Sequence, residues 1–268
     1  MCRLLAVAAN TTVHLTFSLL LAPNSLRKQA TSNSHGWGIA AYKRKWELWK
    51  EAYSAGDSSE FEKRSHEAGG KIIISLIRRV TVGRKALENT HPFQHHGWVL
   101  AHNGTVRKSN QIPIREEFLP MGDTDSERIL CALLSEIHLL RGSVSNIDHA
   151  TVRKALQKVI ASCLKLDPIC KINLLFSDGR FLYAFRHGHP LYWLFRGPHA
   201  SRKIQSRTLR MQEDKIKAKE KAVVVATEKL TREAWQEIPP GMLFSVDPSQ
   251  FRDEDRSIIG ISHILSRC

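Results

Sequence analysis

The sequence predicts an α+β fold. Strand-like segments come first, two amphipathic helices follow one another directly in the middle, and further strand-like segments come after them. Strands grouped around a helical pair, instead of alternating with helices, argue against a doubly wound parallel sheet. Neither phosphate-binding signature is present: no G-x-G-x-x-G follows a strand segment, and no G-x-x-x-x-G-K precedes Ser or Thr.

Arg3 to Ala8 is apolar enough for a buried strand that begins directly after Cys2. Phe17 to Ala22 is a short apolar segment, read as a helical turn or a strand, and Pro23 to Ser34 as a loop. His35-Gly36-Trp37-Gly38 places two glycines around a tryptophan, which permits close backbone approach. Ile39 to Leu48 continues as a strand or hairpin, and the polar stretch 54–69 suits a helix. Lys71 to Ile77 is a β-branched run that reads as a strand buried on both faces, with Arg78 and Arg79 at its end. Gly97 to Ala101 is another short strand, expected to end in a turn at His102-Asn103-Gly104.

Thr124 and Glu127 have the spacing of a capping box. Ile129, Leu130, Leu133, Leu134, Ile137 and Leu140 then repeat at helical spacing, with Gly142 as a stop. A second helix is expected from about His149 to Leu166, with Cys163 on its apolar face as plain core. Lys171 to Phe176 and Phe181 to Arg186 form a hairpin around Ser177-Asp178-Gly179-Arg180. Leu191 to Phe195, Ala222 to Thr227, Met242 to Val246 and Ser257 to Ile264 complete the strands. Residues 202–221 hold eight basic and three acidic side chains and read as a solvated edge hairpin and loop. With no internal repeat and no dividing linker, residues 1–268 are expected to form one domain.

The 268 residues can bury a sizeable core without covalent staples. Five cysteines (Cys2, Cys131, Cys163, Cys170, Cys268) are an odd number at irregular spacing, which argues against a disulfide framework. No stretch approaches the roughly 18 apolar residues of a membrane span, and the apolar N-terminal segments are interrupted by polar residues. A cytoplasmic protein with no membrane association is the expectation. The net charge of +14 attracts nucleic acid, anionic lipid and acidic small molecules alike. The charge is spread along the chain without interleaved aromatics, so nucleic acid is not the expected partner.

Five polar positions fall at segment ends: Cys2, Arg78, His91, Asn103-Gly104 and Asp125. Each has a plain reading as core, surface ion pair, turn or helix-dipole residue. Together they supply what a nucleophilic site needs. If Met1 is removed, Cys2 carries a thiol and a free α-amine, with ordinary pKa values of about 8.5 and about 8. The amine can then take the thiol's proton. The Asn103 amide and Gly104 N–H can donate to an oxyanion, Arg78 can clamp a carboxylate, and Asp125 can bind an ammonium. A γ-glutamyl compound presents those groups, glutamine being the simplest. A metal site from His91, His95, His96 and His102 has no supporting ligand motif, and no cofactor is called for.

The stretches Met1-Cys2-Arg3-Leu4-Leu5, Gly36-Trp37-Gly38-Ile39, Ile77-Arg78, Leu87 to Phe93, Ala101-His102-Asn103-Gly104 and Thr124-Asp125-Ser126-Glu127 resemble those of class II glutamine amidotransferases. These are N-terminal-nucleophile (Ntn) hydrolase domains, and the chain is most similar to their stand-alone group. Asn173 to Arg180, Ala226-Thr227, Trp235 and Pro240-Gly241 extend the resemblance along nearly the whole chain. It implies a four-layer αββα sandwich of two mainly antiparallel sheets between helices. It implies Cys2 as nucleophile, Asn103 and Gly104 as oxyanion hole, and Arg78 and Asp125 as glutamine-binding residues, with Thr81, Val82 and His91 near the pocket. Two positions depart from the family pattern: His35 stands in place of an acidic residue and Leu76 in place of a histidine. Ammonia would go to a separate acceptor subunit, or the enzyme would simply hydrolyse a γ-glutamyl amide. The competing reading is a basic interaction module, binding nucleic acid on a silent scaffold.

Overall fold

The computed structural model describes residues 2–197, 220–251 and 259–265. Two antiparallel sheets lie face to face. One contains β1 (Arg3–His14), β2 (Gly36–Tyr42), β3 (Trp46–Glu51), β4 (Gly69–Arg78), β9 (Tyr192–Arg196), β10 (Ala222–Ala226) and β11 (Gln236–Glu237), in the order β11-β9-β10-β1-β4-β2-β3. The other contains β5 (Phe93–His95), β6 (Trp98–Thr105), β7 (Lys171–Ser177), β8 (Leu182–His187), β12 (Met242–Val246) and β13 (Ile259–His263), in the order β13-β12-β8-β7-β6-β5.

Alternation along the strands builds three cores from these two sheets. Leu4, Ala6 and Ala8 of β1, Ile72, Ile74 and Leu76 of β4, and Val99 and Ala101 of β6 fill the space between the sheets. Leu5, Val7 and Ala9, with Ile73 and Ile77, face the opposite way, under α1 (Leu26–Gln29) and α2 (Ser59–Glu67). Leu100, Leu174 and Phe176 face α3 (Asp125–Arg141) and α4 (His149–Leu166). The layers are therefore helix, sheet, sheet, helix, as the resemblance implies. Truncating a fully buried side chain such as Leu76 to alanine would cost about 2–5 kcal/mol.

The helix ends follow the sequence signals. The Thr124 side chain accepts from Glu127 N–H at 3.2 Å, and Gly142 ends α3 in a left-handed conformation. Asp148 caps α4 by accepting from Thr151 N–H at 2.9 Å.

Three local expectations are corrected. Asn103-Gly104 is not a turn: both residues lie inside β6, paired with Asn173 and Ile172 of β7. A strand partner on that side overrides the Asn-Gly preference, and a Cβ at Gly104 would overlap the Lys171 carbonyl oxygen. The expected loop at 23–34 contains α1, capped by Ser25, and a short turn at Ala30–Ser32. Leu26 and Ala30 are buried there, but so short a helix leaves no readable periodicity. The first strand runs on to His14 past a register shift between Ala8 and Val13, which absorbs the polar residues Asn10 to Thr12. Phe17–Leu21 forms a helical turn. Apart from Glu220 and Lys221, the basic segment 202–221 lies outside the described residues.

Candidate active site

Strand parity brings the key side chains together. Leu4, Leu76 and Ala101 all face the gap between the sheets. Two residues further along their strands, the same parity turns Cys2, Arg78 and Asn103 toward that gap. Leu4 pairs with Leu76 and Arg3 with Ile77, so the next step of the ladder sets Cys2 beside Arg78. Asp125 arrives from the other layer, as the first residue of α3.

The Cys2 sulfur accepts from Arg79 N–H at 3.4 Å, and its thiol donates to the Arg79 carbonyl at 3.5 Å. Burial pushes the thiol above its ordinary pKa, against the lowering influence of that backbone bond and of the Arg78 charge. Arg78 is 2% exposed. It donates to the carbonyl oxygens of Arg84 and Val82, both at 3.1 Å, and thereby folds the 79–90 loop over the strand end. Burial lowers its pKa, opposed by Cys2, Asp123 and Asp125, yet a guanidinium stays charged in proteins. Two of its five N–H donors are used in these bonds.

Asp125 is buried and accepts from Val106 N–H at 2.8 Å and from the Ser126 hydroxyl at 3.2 Å. His102 lies behind it, with Nδ1 at 2.9 Å from Ser126 Oγ. The Ser126 hydroxyl donates to Asp125, and His102 Nε2 lies 3.4 Å from the Lys171 carbonyl oxygen. Burial pushes His102 below its ordinary pKa and His91 well below it. Neither ring nitrogen of His91 has a partner, and neither does the buried Asn103 Nδ2. An unpaired buried amide costs about 1–3 kcal/mol, and such exceptions call for an explanation.

Cys2, Arg78, Thr81, Val82, His91, Gly104 and Asp125 line one pocket. Asn103 lines the adjoining cavity, which shares Cys2, Arg79, Thr81 and Gly104 with the first. All seven site residues expected from the sequence therefore meet at one end of the inter-sheet gap.

Supporting residues were less visible in the sequence. Asn89 donates to the Arg84 carbonyl at 3.3 Å and accepts from Asp123 N–H at 3.0 Å, tying two loops together. Glu127 accepts from Gly122 N–H at 2.7 Å and meets His95 Nε2 at 3.0 Å. Burial pushes this carboxyl up, but the bonds from His95, Gly122 and Met121 outweigh it and hold the pKa below its ordinary value. His35, one of the two departures, accepts on Nδ1 from Val80 N–H at 2.9 Å. Leu76, the other, is core between the sheets. Gly38 is needed because a Cβ there would overlap the His91 carbonyl oxygen. The four histidines weighed as metal ligands take separate surroundings: His95 meets Glu127, His96 the Glu117 carbonyl, His102 meets Ser126, and His91 packs on Phe93.

Comparison with known proteins bears on the fold and the family. The chain is 28% identical over 252 residues to a putative glutamine amidotransferase, YafJ, of Escherichia coli K12, covering 90% of this chain and 95% of that one. It is 26% identical over 176 residues to the gamma-glutamyl-hercynylcysteine sulfoxide hydrolase of Mycolicibacterium smegmatis, covering 63% and 68%. The crystal structure of a predicted glutamine amidotransferase from Pseudomonas aeruginosa superimposes with a TM-score of 0.62 at 23% identity, covering 92% of this chain and 98% of that one. The family model for class-II glutamine amidotransferases matches residues 1–257. The chain belongs to the class II glutamine amidotransferases.

Proposed function

We propose that the protein hydrolyses a γ-glutamyl amide with Cys2 as an N-terminal nucleophile, exposed by removal of Met1. The observation that carries this reading is the unpaired, buried Asn103 Nδ2 in the cavity that Cys2 lines. A donor held without a partner beside a thiol is an oxyanion site awaiting its oxygen.

In this mechanism the α-amine of Cys2 takes the thiol proton, and the thiolate attacks the side-chain carbonyl carbon of the γ-glutamyl group. Asn103 Nδ2 and Gly104 N–H stabilise the oxyanion. The protonated amine returns its proton to the leaving nitrogen, the C–N bond breaks, and an acyl thioester remains. Water then attacks the thioester, releases glutamate and restores the thiol. The free N–H donors of Arg78 hold the substrate α-carboxylate, and Asp125 holds the α-ammonium. Thr81 and His91 complete the wall of the pocket.

We take residues 1–268 as one such domain and place it in the cytoplasm. Cys2, Cys131, Cys163 and Cys170 are free thiols, and among the described residues no helix is long and apolar enough to cross a membrane. A second reading sends the ammonia to a separate acceptor subunit. It is favoured by the exposed Leu87, Leu119 and Met121, on the segments flanking the Asn89 tie.

The test is ammonia or amine release from glutamine and other γ-glutamyl amides by protein whose mass shows that it starts at Cys2. Release that vanishes in Cys2→Ala is expected. No release from any γ-glutamyl compound would overturn the proposal.

A further inference from the structure

Three consecutive residues beyond the end of β4 are each held by a different part of the chain. Arg79 meets the Cys2 sulfur, which accepts from its N–H at 3.4 Å and whose thiol donates to its carbonyl at 3.5 Å. Val80 N–H donates to His35 Nδ1 at 2.9 Å. The Thr81 and Thr105 hydroxyl oxygens are 3.1 Å apart. The β4 ladder stops at Arg78, opposite Gly36 of β2, so side chains take over from strand partners past that point.

Of these contacts, the one from His35 has leverage on the sulfur. The Arg79 carbonyl and the Val80 N–H belong to one peptide unit, which is planar, with the two groups pointing in opposite directions. The carbonyl faces the Cys2 thiol and the N–H faces the His35 ring. Fixing one end of that plane fixes the other. His35 is itself anchored: its backbone N–H donates to the Arg78 carbonyl at 3.1 Å, directly before the Gly36–Arg78 pair of the ladder. Its Nδ1 accepts, so the ring proton is on Nε2. The ring lines neither of the two cavities at Cys2, so it does not touch a substrate held there.

Resting on the proposed Cys2 nucleophile, we infer that His35 is a positioning residue: through the Arg79–Val80 peptide it sets where the Cys2 sulfur stands relative to the substrate carbonyl. The acceptor atom matters here, and not the ring. Asparagine carries its Oδ1 the same number of bonds from Cα as histidine carries Nδ1, so it can take the same N–H. Leucine has the same branching at Cγ and no acceptor. Val80 is half-buried, so water can take its freed N–H. The leucine protein therefore keeps its fold while the peptide plane gains freedom.

The test compares wild type, His35→Leu and His35→Asn, each shown by mass to start at Cys2, on the γ-glutamyl amide that wild type cleaves fastest. A 1 Å misplacement of reacting groups can cost about 10²-fold, so kcat of His35→Leu should fall by about tenfold or more, and His35→Asn should recover most of that loss. KM should change little, because Thr81 keeps its own contact with Thr105 and the glutamyl pocket stays assembled. Amide hydrogen exchange at Val80 should speed up in His35→Leu and stay slow in His35→Asn. A purely structural histidine would show the reverse, a lower melting temperature with kcat of the folded protein kept. Wild-type kcat in His35→Leu, or a loss that His35→Asn does not restore, would overturn the inference and leave the nucleophile reading intact. No cleavage of any γ-glutamyl amide by wild type would overturn both.

Discussion

Arg79 N–H donates to the Cys2 sulfur at 3.4 Å, so the end of β4 grips the thiol at the start of β1. The grip fixes where the sulfur sits, and burial of its surroundings keeps the thiol protonated. In the proposed mechanism, activation comes from the α-amine that removal of Met1 would free.

The first prediction concerns that group. Protein retaining Met1 should alkylate at Cys2 with an apparent pKa above that of free cysteine. Protein lacking Met1 should alkylate with a lower one, because the ammonium form of the α-amine favours the thiolate. Iodoacetamide rates against pH, read by peptide mass, measure both. Identical profiles would remove the α-amine from the mechanism.

Asn103→Ala should lower kcat by about 10²-fold to 10³-fold with a much smaller change in KM, as loss of one oxyanion donor does. Its melting temperature should not fall in proportion, since the amide nitrogen it removes has no partner in the folded protein. A purely structural asparagine would show the opposite split, with stability lost and kcat kept.

Gly104→Ala should damage the fold as well as the rate. Its Cβ would overlap the Lys171 carbonyl oxygen across the β6–β7 ladder. Overpacking of this kind costs about 1–3 kcal/mol, measurable as a lower urea midpoint. An unchanged midpoint would mean that the strands separate more easily there than the register implies.

Arg78→Lys should raise KM for glutamine by about tenfold or more, because a lysine cannot supply parallel donors to a carboxylate. It should also loosen the 79–90 loop, which Arg78 ties through Val82 and Arg84. Limited proteolysis within that loop reports the second effect. A substrate analogue lacking the α-carboxylate should lose far less affinity than glutamine does.

Glu127 gives a pH dependence of stability. Its folded-state pKa is depressed, as the bonds from His95, Gly122 and Met121 outweigh burial. Its stabilisation is therefore present above the unfolded value of about 4.3 and is lost as pH falls through the folded value. Urea midpoints should fall on acidification below about pH 4.3 in wild type, and less steeply in Glu127→Gln. Parallel pH curves for the two proteins would contradict the assignment.

Much of this was legible in the sequence, because local chemistry suffices for it. Lys71 to Ile77 is a buried strand by composition alone, and Thr124, Glu127 and Gly142 mark the ends of α3. Cys2, Arg78, Asn103, Gly104 and Asp125 stood out because each falls at the end of a patterned segment. The order and spacing of these motifs also carried the family.

Only the tertiary structure decided what depends on a partner from elsewhere in the chain. Asn103-Gly104 reads as a turn until β7 pairs with it, and hydrogen bonds across a ladder outweigh a two-residue preference. The tie from Asn89 to Asp123 and the contact of His102 with Ser126 beside Asp125 join residues far apart in sequence. Sequence alone determined which side chains could do the chemistry. The packing of two sheets, with one parity of each strand turned inward, decided that they meet at one sulfur.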